Sequence, residues 1–284
     1  MLSHRNFTQN LLEAWDAQRC NKKDTFLSIL PMAHAYEMAI SMLYPIYVGA
    51  CVFYIQKPPT PTVLMSVLKD LRPTVMCVVP LIIEKIYKSS VVPTIKRSKV
   101  LSWMQDHMPR TLYWFVGMRL KKTFGGRLRF FGIGGSKLDP VVESFLKKAH
   151  FPYAIGYGLT ETTATVSCDW MGRPKTIGSV GRVMEGLELK FGENNEILVR
   201  GATVTKGYYR KQEVTDLAID NEGGFHTGDA GYLKDGETIM RQEYPKSAAK
   251  PLCGKGEKCD CEKIYDFVNA KREAITALRA LRAE

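Results

Sequence analysis

The 284 residues contain no internal repeat, no low-complexity tract and no uninterrupted apolar run of spanning length. The first two absences exclude a solenoid and a disordered tail. The longest apolar stretch without charge, Met38 to Ile55, carries Pro45 and Gly49 and reads as helix, turn and buried strand rather than a membrane span. Met1-Leu2-Ser3-His4-Arg5-Asn6 has no apolar segment followed by small residues, which reads against a secretory signal. Seven cysteines are scattered without the spacing of a disulfide framework, so a reducing, cytoplasmic compartment is expected. Cys253, Cys259 and Cys261 lack a paired C-x-x-C or a nearby histidine, and no metal is assigned to them.

What is present is a globular composition, 45% hydrophobic and 24% charged, enough for a real buried core. Charge is uneven. Of the formal net charge of +11, much falls between Glu84 and Arg129, where eleven lysines and arginines face only Glu84 and Asp106. Such a block suits an anionic partner, whether a phosphate-rich ligand, a membrane surface or nucleic acid, and reads equally as a solvated helical face. No RNA- or DNA-binding module accompanies it, which leaves nucleic acid the least supported. Lys96, Arg97, Lys99, Lys121 and Lys122 lie among Trp103, Trp114 and Phe115, a mixture that suits peripheral attachment to anionic membrane.

Short apolar runs bounded by turn signals, Thr25 to Leu30, Ala50 to Ile55, Thr74 to Val79 and Leu128 to Ile133, read as buried parallel strands. Helical patterns separate them: Leu2 to Arg19 capped by Ser3, Ala35 to Val48, Val63 to Leu71 after a Pro58-Pro59-Thr60-Pro61 turn, Leu81 to Ser89, and Pro140 to Ala149 capped by Asp139. The alternation predicts an α/β fold with a doubly wound, mostly parallel sheet over residues 1–176, with a basic insertion at about 84–129. From Ile177 the texture changes to short strands at Gly178 to Val183, Leu187 to Phe191, Glu196 to Arg200 and Gly224 to Leu233, a small β-rich lobe over 177–241. Residues 242–284 form a Lys-, Pro-, Gly- and Cys-rich tail followed by a helical pattern from Ile264 to Arg282.

Three segments carry the chemistry. Gly132-Ile133-Gly134-Gly135-Ser136 lies at one strand end, and Tyr157-Gly158-Leu159-Thr160-Glu161 follows the strand Tyr153 to Ile155. Downstream comes Phe225-His226-Thr227-Gly228-Asp229-Ala230-Gly231-Tyr232-Leu233. Glycine at a strand end lets backbone approach a ligand, a hydroxyl can bond a phosphate oxygen, and a carboxylate can hold Mg²⁺ through oxygen. Open α/β sheets bind ligands at such carboxyl ends.

These elements, in this order, resemble the adenylate-forming superfamily, and the resemblance covers nearly all of Leu2 to Leu233. Leu30-Pro31-Met32-Ala33-His34, Ile177-Gly178-Ser179-Val180-Gly181, Val199-Arg200-Gly201 and Lys206-Gly207-Tyr208-Tyr209 add to it. Val79-Pro80-Leu81-Ile82-Ile83-Glu84-Lys85-Ile86-Tyr87 and the basic insertion behind it resemble the long-chain acyl-CoA synthetase type. The resemblance implies an acyl-adenylate made from ATP and a fatty acid with Mg²⁺, then transfer to CoA. It makes Thr160 and Glu161 the catalytic pair, with Thr160 at the α-phosphate and Glu161 the metal ligand. Tyr157, Gly134, Gly135 and Ser136 would line adenine, and Asp229 would accept from the ribose hydroxyls. His34 and Gly156 fall on the acid-substrate side.

The same resemblance places a glycine-rich phosphate loop immediately before Leu2, and a hinge, mobile domain and catalytic lysine after Leu233. None of these is found here. The correspondence is lost near Arg241, to which no role is assigned, and a partial enzyme, inactive alone, is expected. A noncatalytic nucleotide- or acyl-binding remnant, or a ligase for another carboxylate, is the alternative.

Overall fold

The computed structural model describes residues 1–55, 60–173 and 175–242. Pro58 and Pro59 of the expected turn, Cys253, Cys259 and Cys261, and the helical pattern from Ile264 to Arg282 lie outside them.

Helix α1 (His4–Gln18) opens with the expected Ser3 cap, whose hydroxyl accepts from the Asn6 N–H while the Asn6 side chain accepts from the Ser3 N–H at 2.7 Å. It ends on Arg19 in the left-handed region. Strand β1 (Thr25–Ser28) follows, then a π-helical segment Glu37–Leu43 continued by α2 (Tyr44–Val48), and β2 (Cys51–Tyr54). Thr60 caps α3 (Pro61–Leu71), with proline at its first position, where the missing N–H costs nothing. After β3 (Val75–Val78) come α4 (Pro80–Ile86), a π-helical turn Tyr87–Val91, α5 (Val92–Arg97), α6 (Lys99–His107) and α7 (Pro109–Thr123). Strand β4 (Phe130–Ile133), α8 (Pro140–Lys148) with its Asp139 cap, and β5 (Tyr153–Tyr157) complete the first half. The second is β6 (Ser167–Cys168), β7 (Ser179–Val183), β8 (Leu187–Phe191), β9 (Glu196–Gly201), α9 (Gln212–Ala218), β10 (Phe225–Lys234) and β11 (Thr238–Gln242).

All eleven strands join in one sheet, ordered β2-β1-β3-β4-β5-β6-β7-β11-β10-β9-β8. The first five are parallel, and from the β5–β6 pair onward every pairing is antiparallel. β1 lies between β2 and β3, so the chain winds outward and then returns across itself, the doubly wound pattern.

The period of two along each strand sends alternate residues to two separate cores. Leu27, Met76, Val78, Phe131, Ile133 and Ile155 pack with Leu68, Leu112, Leu120, Val142 and Leu146 from α3, α7 and α8. Phe26, Val75, Cys77, Phe130 and Ala154 face the other way, onto Ala14, Ala39, Ile40 and Tyr44. Each large side chain so buried contributes about 1.5–3 kcal/mol of transfer free energy. A third core, Tyr157, Val166, Ile197, Val199 and Ile239, fills the antiparallel half.

Two expectations change. β2 is not a buried strand: it is the sheet edge, with Phe53 and Tyr54 exposed. Its apolar composition therefore does not report two covered faces. The helix expected over Ala35 to Val48 begins as a π-helical segment, which turns Glu37 into the interior. Among the described residues no helix is long and apolar enough to cross a membrane.

Candidate functional site

Strands β4 and β5 run in parallel register with Ile133 opposite Ile155, so Gly134 and Gly156 follow side by side at their carboxyl ends. Gly132 and Gly134 are small because Tyr36 lies against them. A Cβ on Gly132 would stand 2.7 Å from the Tyr36 hydroxyl, and one on Gly134 would stand 3.4 Å from its ring. Gly135 turns the chain in the left-handed region and, with Ser136, is exposed. The far end of this turn is held by Glu84, whose carboxylate accepts from the Asp139 N–H at 3.0 Å. A methyl group on Gly156 would make only ordinary contacts, at 3.6 Å or more.

Tyr36 belongs to the segment that presents His34. The next residue, Glu37, is fully buried and accepts from Ser28 Oγ (2.6 Å), the Ile29 and Leu30 N–H groups (3.0 and 3.2 Å) and Ser41 Oγ (2.9 Å). One carboxylate thus ties the end of β1 to the π-helical segment. Burial raises the Glu37 carboxyl above the ordinary carboxylate range, and these hydrogen bonds oppose that rise. His34 itself is exposed and makes no side-chain hydrogen bond among the described residues.

After β5 the chain folds back sharply. A Cβ on Gly158 would lie 2.1 Å from the Ala164 carbonyl oxygen, so only glycine fits. Thr163 and Ala164 both take positive φ, at 54° and 81°, strained for either and most so for the β-branched Thr163. Two buried threonines hold the turn: Thr162 Oγ1 accepts from the Leu159 N–H at 2.9 Å, and Thr163 Oγ1 donates to the Thr203 carbonyl at 2.6 Å. The single 3₁₀ turn Thr160–Thr162 leaves Thr160 exposed and Glu161 half-buried. Glu161 is fixed at both ends, its carbonyl by the Thr205 N–H (2.7 Å) and its Oε1 by the Tyr208 hydroxyl (2.8 Å). Burial, then the Glu161 charge, raises the Tyr208 phenol above its ordinary range, so it stays a donor.

Asp229 arrives from the antiparallel half. The β10–β9 register shifts between His226 and Ala230, a bulge whose Gly228 has φ 68°. Glu196 braces it, accepting from the Gly228 N–H at 2.8 Å and contacting His226 Nδ1 at 3.0 Å, while Thr227 Oγ1 donates to the Ile197 carbonyl at 2.7 Å. Asp229 Oδ2 accepts from the Tyr157 hydroxyl at 2.9 Å, and its Oδ1 accepts from Arg241 at 2.5 Å. The Arg241 guanidinium also lies 5.2 Å from the Tyr157 ring centre. Burial and then the Asp229 charge push the Tyr157 phenol up, which keeps its proton on the bond to Asp229.

The fold therefore gathers Gly134, Gly156, Tyr157, Thr160, Glu161 and Asp229 around the end of β5, where the sheet changes from parallel to antiparallel. His34 stands on the neighbouring segment without a polar contact to them. The sequence assigns no site role to Tyr36, Glu37, Glu84, Glu196, Tyr208 or Arg241, although Glu84 and Tyr208 stand inside the motifs Val79 to Tyr87 and Lys206 to Tyr209. Glu37 carries a further signal, an acidic residue at the edge of a long apolar run. No group of three or more histidine, cysteine or carboxylate residues suited to a metal occurs among the described residues.

Residues 1–209 match the AMP-binding enzyme family. The chain is 31% identical to long chain acyl-CoA synthetase 7, peroxisomal, of Arabidopsis thaliana, over 93% of this chain and 41% of that protein. It is 30% identical to long-chain-fatty-acid–CoA ligase 2 of Schizosaccharomyces pombe, over 93% of this chain and 43% of that protein. Among solved structures it resembles O-succinylbenzoate coenzyme A synthetase (MenE) of Bacillus subtilis in complex with ATP and magnesium ion. There the TM-score is 0.66 at 17% identity, over 84% of this chain and 46% of that one. It also resembles apo MatB of Rhodopseudomonas palustris, with a TM-score of 0.67 at 22% identity, over 85% and 44%. The chain spans less than half the length of each.

Proposed function

The chain belongs to the AMP-binding enzyme family, and from that premise we propose that it carries the nucleotide- and acid-binding part of a ligase joining a long-chain fatty acid to CoA. In this reading a fatty carboxylate oxygen attacks the α-phosphorus of ATP, the bond to pyrophosphate breaks, and an acyl-adenylate forms. The CoA thiol then attacks the acyl carbonyl, AMP leaves and the thiol proton is released. The long-chain class rests on the resemblance of Val79 to Tyr87 and the basic insertion behind it, and on the similarity to the long-chain ligases of Arabidopsis thaliana and Schizosaccharomyces pombe.

The observation that carries the reading is the contact of Tyr157 and Arg241 with Asp229, the exposed Thr160 and the fixed Glu161 following Tyr157 by three and four residues. Asp229, an acceptor, suits the ribose diol, and the Tyr157 bond and Arg241 pair hold its two oxygens in place. Gly134, Gly135 and Ser136 bring backbone to the adenine, which Tyr157 flanks. Thr160 reaches the α-phosphate. Glu161 suits Mg²⁺: Tyr208 occupies Oε1, Oε2 has no hydrogen-bond partner among the described residues, and Mg²⁺ typically takes one or two carboxylates plus substrate phosphates. A cation held there supplies charge neutralisation at the phosphate oxygens. His34 and Gly156 face the acid.

Titration calorimetry with a non-hydrolysable acyl-adenylate analogue tests this. Binding to the chain, weakened at least tenfold by Asp229→Ala, is expected. A folded chain that shows no binding heat, or binds equally well after Asp229→Ala, refutes it. Pyrophosphate release dependent on fatty acid, measured on the same sample, separates a ligase from a nucleotide binder.

A further inference from the structure

Helix α7 buries one face, α6 half-buries one, and each leaves a second apolar face outward. In α7, Leu112, Tyr113, Val116 and Leu120 pack toward the core of the parallel half. At 3.6 residues per turn Trp114, Phe115 and Met118 lie on the opposite side, and all three are exposed. In α6, Leu101 and Met104 pack inward while Val100 and Trp103, at 67% and 53% exposure, point out. The outward residues form paired plates: Trp114 meets Phe115 edge-on at 5.0 Å, and Trp103 stacks on His107 at 4.8 Å. A helix apolar on both sides is a costly surface for a chain in water, and a patch of this kind marks an interaction site.

The cations around it say what covers it. Lys96, Arg97, Lys99, Arg110, Lys121 and Lys122 flank these aromatics, and none pairs with a carboxylate among the described residues. Asp106 is the sole acidic residue from Lys85 to Arg129. Lys122 also lines a surface groove of about 570 Å³ with Lys69 and Arg72, which extends the positive zone along α3. A protein groove would cover the aromatics but offers no reason for so many unpaired cations beside them. Exposed tryptophans in a segment rich in unpaired lysine and arginine match the boundary between anionic headgroups and acyl chains, where the rings sit at headgroup depth and each cation gains about 1 kcal/mol.

We propose that the outer surface of α6 and α7 is the face by which this protein lies on an anionic lipid bilayer, with Trp103, Trp114, Phe115 and Met118 entering the headgroup layer. The proposal goes beyond the ligase reading and stands whether or not that reading holds. Because Lys99, Lys122 and the aromatics are exposed and Lys121 is only half-buried, they can be changed without opening the core.

Co-sedimentation of the full chain with phosphatidylcholine vesicles, with and without phosphatidylserine, tests it, helical content being followed by circular dichroism. Binding only to the phosphatidylserine vesicles, weakened by salt, is expected. Lys121→Gln with Lys122→Gln should lower partitioning about thirtyfold. Trp114→Ser with Phe115→Ser should lower it at least tenfold while leaving the salt dependence in place. Equal binding to both vesicles, or both double variants binding as the parent does, overturns the proposal. So does a concentration-dependent dimer, seen by sedimentation velocity without vesicles, that the aromatic variant abolishes, because the occupant is then a second copy. Tighter binding to a random-sequence RNA than to the anionic vesicles also overturns it.

Discussion

Tyr157 ends the last parallel strand and donates its phenolic proton to Asp229, in the bulge of β10, across 2.9 Å. That bond joins the two kinds of pairing in the sheet at the point where one gives way to the other. The bulge is needed for it. With regular pairing through Thr227 and Gly228, the alternation that sets Ala230 inward would not bring Asp229 to the β5 end with Arg241 on its second oxygen.

Tyr157→Phe is therefore expected to leave the fold intact and cost about 1.5–3 kcal/mol, the range for a hydrogen bond to a charged group. If Asp229 meets a ribose, releasing one of its oxygens should also weaken an acyl-adenylate analogue about tenfold. Chemical denaturation and calorimetry on the same protein read the two effects. Loss of stability with unchanged affinity would leave the bond a purely structural tie.

Tyr208 donates to one oxygen of Glu161 as Tyr157 donates to one of Asp229, but Arg241 takes the second oxygen of Asp229 whereas that of Glu161 has no partner among the described residues. Under the proposed role of Glu161, Tyr208→Phe should raise the Mg²⁺ concentration required for nucleotide binding roughly tenfold, the usual cost of removing a group that orients a metal ligand. Its effect on nucleotide affinity at saturating Mg²⁺ should be small. Nucleotide titrations across a Mg²⁺ series decide the point, and an unchanged Mg²⁺ requirement would place Tyr208 outside the site.

Most of the parallel half was legible because its strands are short apolar runs closed by proline or polar residues, and Ser3 and Asp139 cap the helices their positions announce. The site segments were legible because glycine, hydroxyl and carboxylate stand together at strand ends. The residues that hold them were not. Glu196 lies 32 positions from Gly228, whose bulge it braces, and Tyr208 lies 47 positions from Glu161, contacts made only by β9 pairing and by the loop before α9. β6 spans two residues, too few to show a period, and β11 begins where the motif correspondence fades, so Arg241 gave no sign of its partner. β2 misled because an edge strand with Phe53 and Tyr54 reads like a buried one.

Glu37 is the residue whose loss should be felt most in stability. Glu37→Ala strands two hydroxyls and two N–H groups in the interior and should cost several kcal/mol, about 1–3 for each donor that finds no substitute. Glu37→Gln keeps an acceptor where three of the four donors meet, and the Ser41 hydroxyl can rotate to accept from the new amide, so about 1 kcal/mol is expected. Urea denaturation of both variants gives the comparison, and near-equal costs would rule out the hydrogen-bond account.

Glu13 sets an expected pH dependence. It is 2% exposed on α1, its Oε1 takes only a 3.2 Å bond from Gln9, and its Oε2 has no partner, nor does either amide atom of neighbouring Asn10, among the described residues. Burial pushes its carboxyl from 4.5 to about 8, with the Gln9 bond opposing. Below about pH 4.5 the group is protonated in both folded and unfolded chains and adds no slope. Between there and about pH 8 the unfolded chain gives up the proton that the folded chain keeps, so stability falls as pH rises, by up to about 1.4 kcal/mol per unit. Above about pH 8 both states are ionised and the loss levels off. Glu37, Glu143 and Asp169 are also raised by burial and act in the same direction, so part of the slope belongs to them. Glu13→Gln keeps the volume and removes the proton equilibrium. Denaturation midpoints measured from pH 5 to pH 8 should then fall less steeply than in the parent, with the variant gaining most at pH 8, whereas parallel pH profiles would show that the Glu13 carboxyl is already ionised in the folded chain.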